Sequence, residues 1–130
     1  MKERKNLPEA ELDIMLVIWY EEKKEGEGVT APRILEKLER PLTASALHSY
    51  LKRLEERGYL RCEKAGRVNR YVPLISEEEY QRQESGGILE RLYGGSLKAF
   101  TAALWDGGEL SLGDLDEMRD FLDELSWRRR

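Results

Sequence analysis

The order of its amphipathic segments is the feature of this 130-residue chain that most restricts its fold. Pro8 can open a first helix, because the backbone N–H that proline lacks would have no partner there. The apolar side chains that follow recur at helical spacing: Leu12, Met15, Leu16 and Trp19. We predict that this helix ends near Glu22, before a charged, glycine-bearing loop.

Two shorter helices are predicted next. Thr30 is a suitable N-cap for the second helix, which carries Pro32 in its first turn and is expected to end at Pro41. Thr43 can cap the third helix, and Gly58 can terminate it. The buried stripes of the two helices are expected to be Ile34, Leu35 and Leu38, and then Leu47, Leu51 and Leu54.

The segments 59–64 and 69–73 have strand character, and the turn between them contains Gly66. Val29 could add a short strand. Three helices followed by a β-hairpin in about 70 residues is the order of a winged helix-turn-helix. We therefore predict a mainly α fold with a small β-hairpin, with residues 1–75 forming a winged-helix DNA-binding domain.

Residues 76–130 are predicted to be helical throughout. Ser76 with Glu79, and Ser111 with Asp114, have the spacing of helix capping boxes, and paired glycines separate the helices. A segment this short forms a poor core alone, so we predict that it dimerises. The side chains expected at the dimer contact are Leu97, Phe100, Leu104, Leu115, Met118, Leu122 and Leu125.

Charge is distributed unevenly along the chain, whose overall net charge is −4. Residues 1–75 carry a net charge of +2 and residues 76–130 carry −6, whereas residues 40–73 alone carry +5. Local charge decides where a phosphate backbone can bind. The sequence therefore places a nucleic-acid surface in the third helix and the hairpin.

Few residues are available for catalytic or metal chemistry. Cys62 and His48 are single examples of their types, and no glycine-rich nucleotide loop is present. We therefore expect no catalytic residues, no metal site and no cofactor. No segment has the length of an apolar membrane span, and none has the pattern of a signal peptide. A cytoplasmic protein without a membrane partner is expected.

Three segments of the sequence, 7–19, 51–60 and 66–73, together with the Tyr93-Gly94-Gly95-Ser96-Leu97 step, resemble the penicillinase-repressor family. That family includes the methicillin-resistance repressor and copper-responsive repressors. The resemblance covers nearly the whole chain. It implies a homodimeric winged-helix repressor of transcription that binds an inverted-repeat operator in double-stranded DNA.

The resemblance also bears on how such a repressor is induced. In the antibiotic-resistance members a membrane sensor-protease triggers cleavage at an Asn-Phe pair in the C-terminal part. Ala103-Leu104 stands at that place here, which argues against the same proteolytic induction and leaves a sensor-protease partner open. Copper-responsive members carry paired cysteines near the C-terminus, and this chain lacks them.

The helical repeat identifies the residues that would touch DNA. If the leucines of the third helix face inward, its N-terminal half offers small polar side chains to the major groove, and the turn of the hairpin offers arginines to the backbone. The family places a lysine and a threonine near Ser45 and Ala46, so a different operator sequence or weaker binding is expected. The predicted DNA-binding residues are Thr43, Ser45, Ala46, Ser49, Lys52, Arg53, Arg67 and Arg70.

Two other functions remain open from the sequence alone. A winged helix can serve protein–protein contact, and a basic face containing Lys52, Arg53, Arg67 and Arg70 would distinguish DNA binding from it. A dimeric sensor of a small molecule is the other alternative. An apolar cavity lined by Trp19 or by the C-terminal aromatic side chains would support that function.

Overall fold

A computed structural model describes residues 7–129 of the chain. Its elements follow one another as α1 (Glu9–Glu25), β1 (Val29–Thr30), α2 (Ala31–Lys37), α3 (Ala44–Glu56), β2 (Leu60–Ala65), β3 (Val68–Pro73), α4 (Glu77–Tyr93), α5 (Leu97–Asp106) and α6 (Leu112–Arg128). The chain divides into two compact units, the first ending at Glu84 and the second beginning at Ser85.

The first unit is a winged helix, and the predicted fold class is confirmed. Strands β2 and β3 form the hairpin, with Cys62 opposite Tyr71 and Lys64 opposite Asn69. Strand β1 pairs with the other edge of β3, so the antiparallel sheet has the order β1-β3-β2. The short strand at Val29 therefore closes the hairpin into a three-stranded sheet.

One hydrophobic core holds this unit together. Helix α1 contributes Ile14, Met15, Ile18 and Trp19, and α3 contributes its three predicted leucines. The indole N–H of Trp19 donates to the carbonyl of Ile75 at 2.9 Å, which satisfies the polar edge of a buried side chain. Trp19 is thus a core residue, with only 3% of its surface exposed.

The helix starts agree with the predicted caps. The Thr30 hydroxyl accepts a hydrogen bond from the Arg33 N–H, and the N-cap of α3 is Thr43. The ends differ by a few residues. Helix α2 stops at Lys37 and not at Pro41, because Leu38 already has an extended backbone. Helix α1 runs three residues past Glu22, to the left-handed Gly26 at φ 70°.

The boundary between the two units lies inside α4. The sequence placed a domain boundary between residues 75 and 76, but Tyr80 of α4 is buried and its hydroxyl accepts a hydrogen bond from the Leu7 N–H at 3.1 Å. The Ser76 hydroxyl accepts from the Glu79 N–H as predicted. Gly86 and Gly87 lie within the continuous helix.

The second unit contains the end of α4 and the helices α5 and α6. Ser111 and Asp114 form the predicted capping box at the start of α6. The Ser111 N–H donates to the Asp114 carboxylate at 2.9 Å and thereby lowers the pKa of that carboxyl. Tyr93 packs on Phe100 with their ring centroids 5.1 Å apart. Neither α5 nor α6 buries a residue within this single chain.

Candidate nucleic-acid interface

Helix α3 has one buried face and one exposed polar face. Leu47, Leu51 and Leu54 are buried, and none of them is more than 1% exposed. Successive residues of a helix are rotated by about 100° about its axis, which puts Ser45, Ser49 and Lys52 on the side opposite the leucines. All three are exposed. The helix therefore offers two hydroxyls and one ammonium to a partner.

The N-terminal turn of α3 is fixed by local hydrogen bonds. The Thr43 hydroxyl accepts from the Ala46 N–H at 3.0 Å, and the Ser49 hydroxyl donates to the Ser45 carbonyl at 3.3 Å. Capping uses one lone pair of Thr43 and leaves its O–H able to donate. The positive end of the helix dipole at this turn suits a phosphate group.

A buried carboxylate of α1 pairs with two arginines near the C-terminal end of α3. Glu11 of α1 has no exposed surface, and its oxygens lie 2.9 Å from the Arg57 Nη1 and 3.5 Å from the Arg53 Nη1. The Arg53 guanidinium also lies 5.3 Å from the ring centroid of Tyr50. Arg53 is therefore engaged within the first unit, although about half of its side chain is exposed.

Sequence reasoning missed the part played by Glu11 and Arg57. The available signal was the position of Glu11, which falls on the same helical face as the buried Ile14, Met15 and Ile18. A charge on a buried face requires a partner of opposite charge. The sequence did not show which of the many arginines would supply it.

The hairpin brings basic side chains to its turn. Arg67 lies in the turn beside Gly66, whose φ is 70°, and is exposed. Lys64 and Asn69 stand opposite one another at the ends of the strands and are exposed as well. This tip can reach a phosphate backbone or a minor groove without disturbing the sheet.

Arg70 has a different position from Arg67. It lies in the central strand β3, in register with Thr30 and Glu63, and is half-buried. Its Nη1 donates to the carbonyl of Gly28 at 3.4 Å. Arg70 therefore makes a structural contact within the sheet and does not belong to the tip of the β2–β3 hairpin.

The single histidine of the chain, His48, and its single cysteine, Cys62, both lie in the first unit. His48 is an exposed residue of α3, and Cys62 is a half-buried residue of β2. Cys62 faces Tyr71 across the hairpin. Burial raises the pKa of the Tyr71 hydroxyl, and Cys62 adds to that shift.

Within residues 7–129 no group of His, Cys, Asp and Glu side chains is arranged to hold a metal ion. Over the same residues no helix has the length and apolar character needed to cross a membrane.

Four of the seven predicted dimerisation residues line one apolar groove in the second unit. A groove of about 570 Å³ between α5 and α6 is lined by Leu97, Leu115, Met118 and Leu122, together with Trp105. Leu125 and Leu122 are exposed, whereas Phe100, Leu104 and Leu115 are half-buried. A single chain leaves this surface open to solvent.

The chain is similar in sequence to two repressors over at least 90% of its length. It is 29% identical to the penicillinase repressor of Bacillus licheniformis, over 100% of this chain and 99% of that protein. It is 24% identical to the penicillinase repressor of Staphylococcus aureus, over 90% of each. These relatives are repressors and not enzymes, which agrees with the prediction that this chain is no enzyme.

Structural comparison finds a similar DNA-binding domain. The solution structure of the DNA-binding domain of the repressor BlaI covers 62% of this chain and 94% of its own, at 30% identity and a TM-score of 0.50. The family model for the penicillinase repressor matches residues 7–124. The chain therefore belongs to the penicillinase repressor family.

Proposed function

We propose that this protein represses transcription in the cytoplasm as a homodimer bound to an inverted-repeat operator. Helix α3 enters the major groove and the β2–β3 turn contacts the backbone or the minor groove. The residues assigned to DNA are those predicted from the sequence: Thr43, Ser45, Ala46, Ser49, Lys52, Arg53, Arg67 and Arg70.

The observation that carries this proposal is the exposed face of α3. Ser45, Ser49 and Lys52 project from a helix whose other face is fixed by three buried leucines and by the Glu11 ion pairs. Short hydroxyl side chains allow a helix to approach base edges closely, and a lysine beside them can meet a phosphate. The similarity to a DNA-binding domain of the same family supports this use of the face.

Within this proposal the contacts differ in strength. Lys52 and Arg67 are exposed, and no ion pair involving either is found among the described residues. They are the main phosphate contacts. Arg53 is paired with Glu11, and Arg70 donates a hydrogen bond to the Gly28 carbonyl. Because of these contacts, the two guanidinium groups extend less far towards DNA and add mainly positive charge to the surface.

Dimerisation is proposed for the second unit. Its apolar side chains are largely exposed in one chain, and a charged protein rarely leaves so much apolar surface to water. Two winged helices on a palindromic site also multiply sequence discrimination. The proposed contact residues are those predicted from the sequence.

The proposal does not include cleavage at the family's Asn-Phe pair. Ala103 and Leu104 occupy that place and lie within α5, where the backbone is hydrogen-bonded in a regular helix. A protease acts on an extended segment, so this helix would have to unwind first.

Titration of labelled DNA tests the proposed function. Fragments that include the DNA upstream of the chain's own gene are titrated with the protein at several salt concentrations, and the mass of the complex is measured by sedimentation. We expect sequence-preferring, salt-dependent binding of two chains per site. Lys52→Ala should weaken binding to all sequences and reduce the salt slope by about one, whereas Arg82→Ala on α4 should change neither.

If no fragment binds above the non-specific level at low salt, the DNA-binding function is wrong. A winged helix used for protein–protein contact would then be the better description, and the exposed face of α3 would be its first candidate surface.

A further inference from the structure

One polar side chain on the exposed side of α3 has no part in the proposed function. His48 is exposed and is followed by Lys52 one helical turn later. Because successive residues of a helix are rotated by about 100°, these two side chains lie on the same edge of the exposed face, whereas Ser45 and Ser49 lie nearer its middle. His48 therefore lies beside a proposed phosphate contact, at the border of the surface proposed to face DNA.

The imidazole of His48 has no partner within the part of the chain that the structure describes. No hydrogen bond, ion pair or ring contact involves it among residues 7–129. Along its side of α3 the nearest charged groups are Lys52, one turn away, and Glu55, two turns away. The nearer of these two carries a positive charge, and Glu55 is about 10 Å further along the helix axis. Helix α3 itself therefore does not compensate the charge of a protonated His48.

The neighbouring elements use their carboxylates for other partners. Helices α1 and α2 and strand β2 pack on α3. The α1 carboxylate that reaches α3 is Glu11, and it pairs with Arg53 and Arg57. The charged side chains of the other two elements are Arg33, Glu36 and Lys37 in α2, and Arg61, Glu63 and Lys64 in β2. Glu36 pairs with Arg33, and Glu63 pairs with Arg61. An external anion is therefore the partner that a protonated His48 lacks among the described residues.

We propose that His48, in its protonated form, is a further DNA contact and binds a phosphate beside the one that Lys52 meets. A helix in the major groove lies between two sugar–phosphate backbones, so the middle of its exposed face meets bases and its edges meet phosphates. A protonated imidazole carries a positive charge and donates from both ring nitrogens. This inference rests on the proposed function, because it requires α3 to enter the major groove.

The contact makes DNA binding depend on pH. Histidine is the side chain that normally gains and loses its charge between about pH 5 and about pH 8. The phosphate favours the charged form, so the complex takes up a proton as it forms, and binding tightens as the pH falls and weakens as it rises. Lys52 adds to this difference. Two positive charges one turn apart repel each other in the free chain, and a phosphate next to both offsets that repulsion.

The DNA affinity at two pH values tests the contact. The full chain is titrated with the labelled fragment that it binds most tightly, at about pH 8 and at about pH 6 and at constant ionic strength. We expect tighter binding at the lower pH, by about threefold per chain or about tenfold for a dimer, which is the size of effect that one exposed charged contact produces. The salt slope at the lower pH should be larger by about one per chain.

Three variants locate the titrating group. His48→Gln should lose most of the pH dependence. His48→Arg should bind more tightly than the unaltered chain at about pH 8 and should show little pH dependence, because arginine stays charged. Glu25→Gln, at an exposed position of α1, should keep the pH dependence of the unaltered chain. Both positions are exposed, so the variants are expected to fold, and thermal unfolding confirms it.

The imidazole proton signals give a second measurement on the unaltered chain. The chain contains one histidine, so these NMR signals belong to His48 without further assignment. Their titration should move to higher pH when the DNA fragment is bound, because the phosphate favours the protonated form. A histidine that is merely exposed and remote from the DNA would titrate alike in the free and the bound chain.

Three results would overturn the proposal: binding that is independent of pH, pH dependence that persists in full in His48→Gln, or imidazole signals that titrate alike with and without DNA. Each of them leaves operator binding intact, since that function is judged by sequence preference and by the number of chains per site. If no fragment binds at either pH, in the unaltered chain or in His48→Arg, the proposed function is wrong and the His48 contact fails with it.

Discussion

The carboxylate of Glu11 in α1 lies 2.9 Å from the guanidinium of Arg57 at the end of α3. Glu11 is fully buried, whereas more than a third of the Arg57 side chain is exposed. The pair therefore connects the core face of the first helix to the helix proposed to read DNA. It fixes α3 by a charged contact in addition to the packing of its leucines.

The first prediction concerns this contact. Glu11→Gln should lower the free energy of unfolding by about 1–3 kcal/mol, because the charge-assisted hydrogen bond from Arg57 and the ion pair with Arg53 are lost while both arginines can still turn to water. Urea denaturation measures the change. Glu25→Gln, at an exposed position of the same helix, should stay within about 0.5 kcal/mol of the unaltered chain. Equal stability of the two variants would show that the Glu11 contact contributes nothing.

The second prediction concerns the β2–β3 turn. Arg67→Ala should weaken binding to specific and non-specific DNA by a similar factor and reduce the salt slope by about one, because a phosphate contact carries no sequence information. Arg61→Ala removes an arginine of the same sheet that is paired with Glu63, and it should have a smaller effect on both quantities. A loss restricted to one operator sequence would instead assign Arg67 to a base edge.

The third prediction concerns dimerisation. Changing Leu115 and Leu122 together to Asp should give monomers in sedimentation and weaker operator binding, because both side chains line the apolar groove of the second unit. Leu112→Asp is the control, since Leu112 is 73% exposed and lies outside that groove. Circular dichroism confirms that helix content is retained. An unchanged sedimentation mass and DNA affinity would remove the groove from the dimer contact.

The fourth prediction concerns pH. Burial raises the pKa of the Tyr80 hydroxyl above its usual value near 10, so ionisation is harder in the folded chain than in the unfolded one. The stability that this group contributes is complete below its unfolded pKa and is lost as the pH rises through its folded pKa. The midpoint of thermal unfolding should therefore fall above about pH 10.

Tyr80→Phe isolates the contribution of this hydroxyl. The variant loses the hydrogen bond from the Leu7 N–H and should be less stable at neutral pH. It should also show a shallower alkaline decline, although Tyr71, whose pKa burial raises as well, keeps part of it. An alkaline decline as steep as that of the unaltered chain would show that Tyr80 does not titrate in this range.

The fold and the position of the candidate interface were accessible from the sequence. Helical spacing identified the buried leucines of α3, the hydroxyls of Thr30, Thr43 and Ser111 identified helix starts, and glycines identified the ends of α3, α4 and α5. These signals are local, since they depend on residues at most a few positions apart. For the same reason the exposed face of α3 followed from its buried face.

The contacts between distant residues were decided only by the tertiary structure. No local pattern pairs Glu11 with Arg57, directs the Arg70 guanidinium to Gly28, or places Tyr80 in the core and so extends the first unit to Glu84. Nor does any pattern show that Glu21 is buried with the Arg33 Nε 3.5 Å from its carboxylate. Spacing along a chain specifies which face of a helix is apolar, but the choice among many similar charged partners depends on how the helices pack in three dimensions.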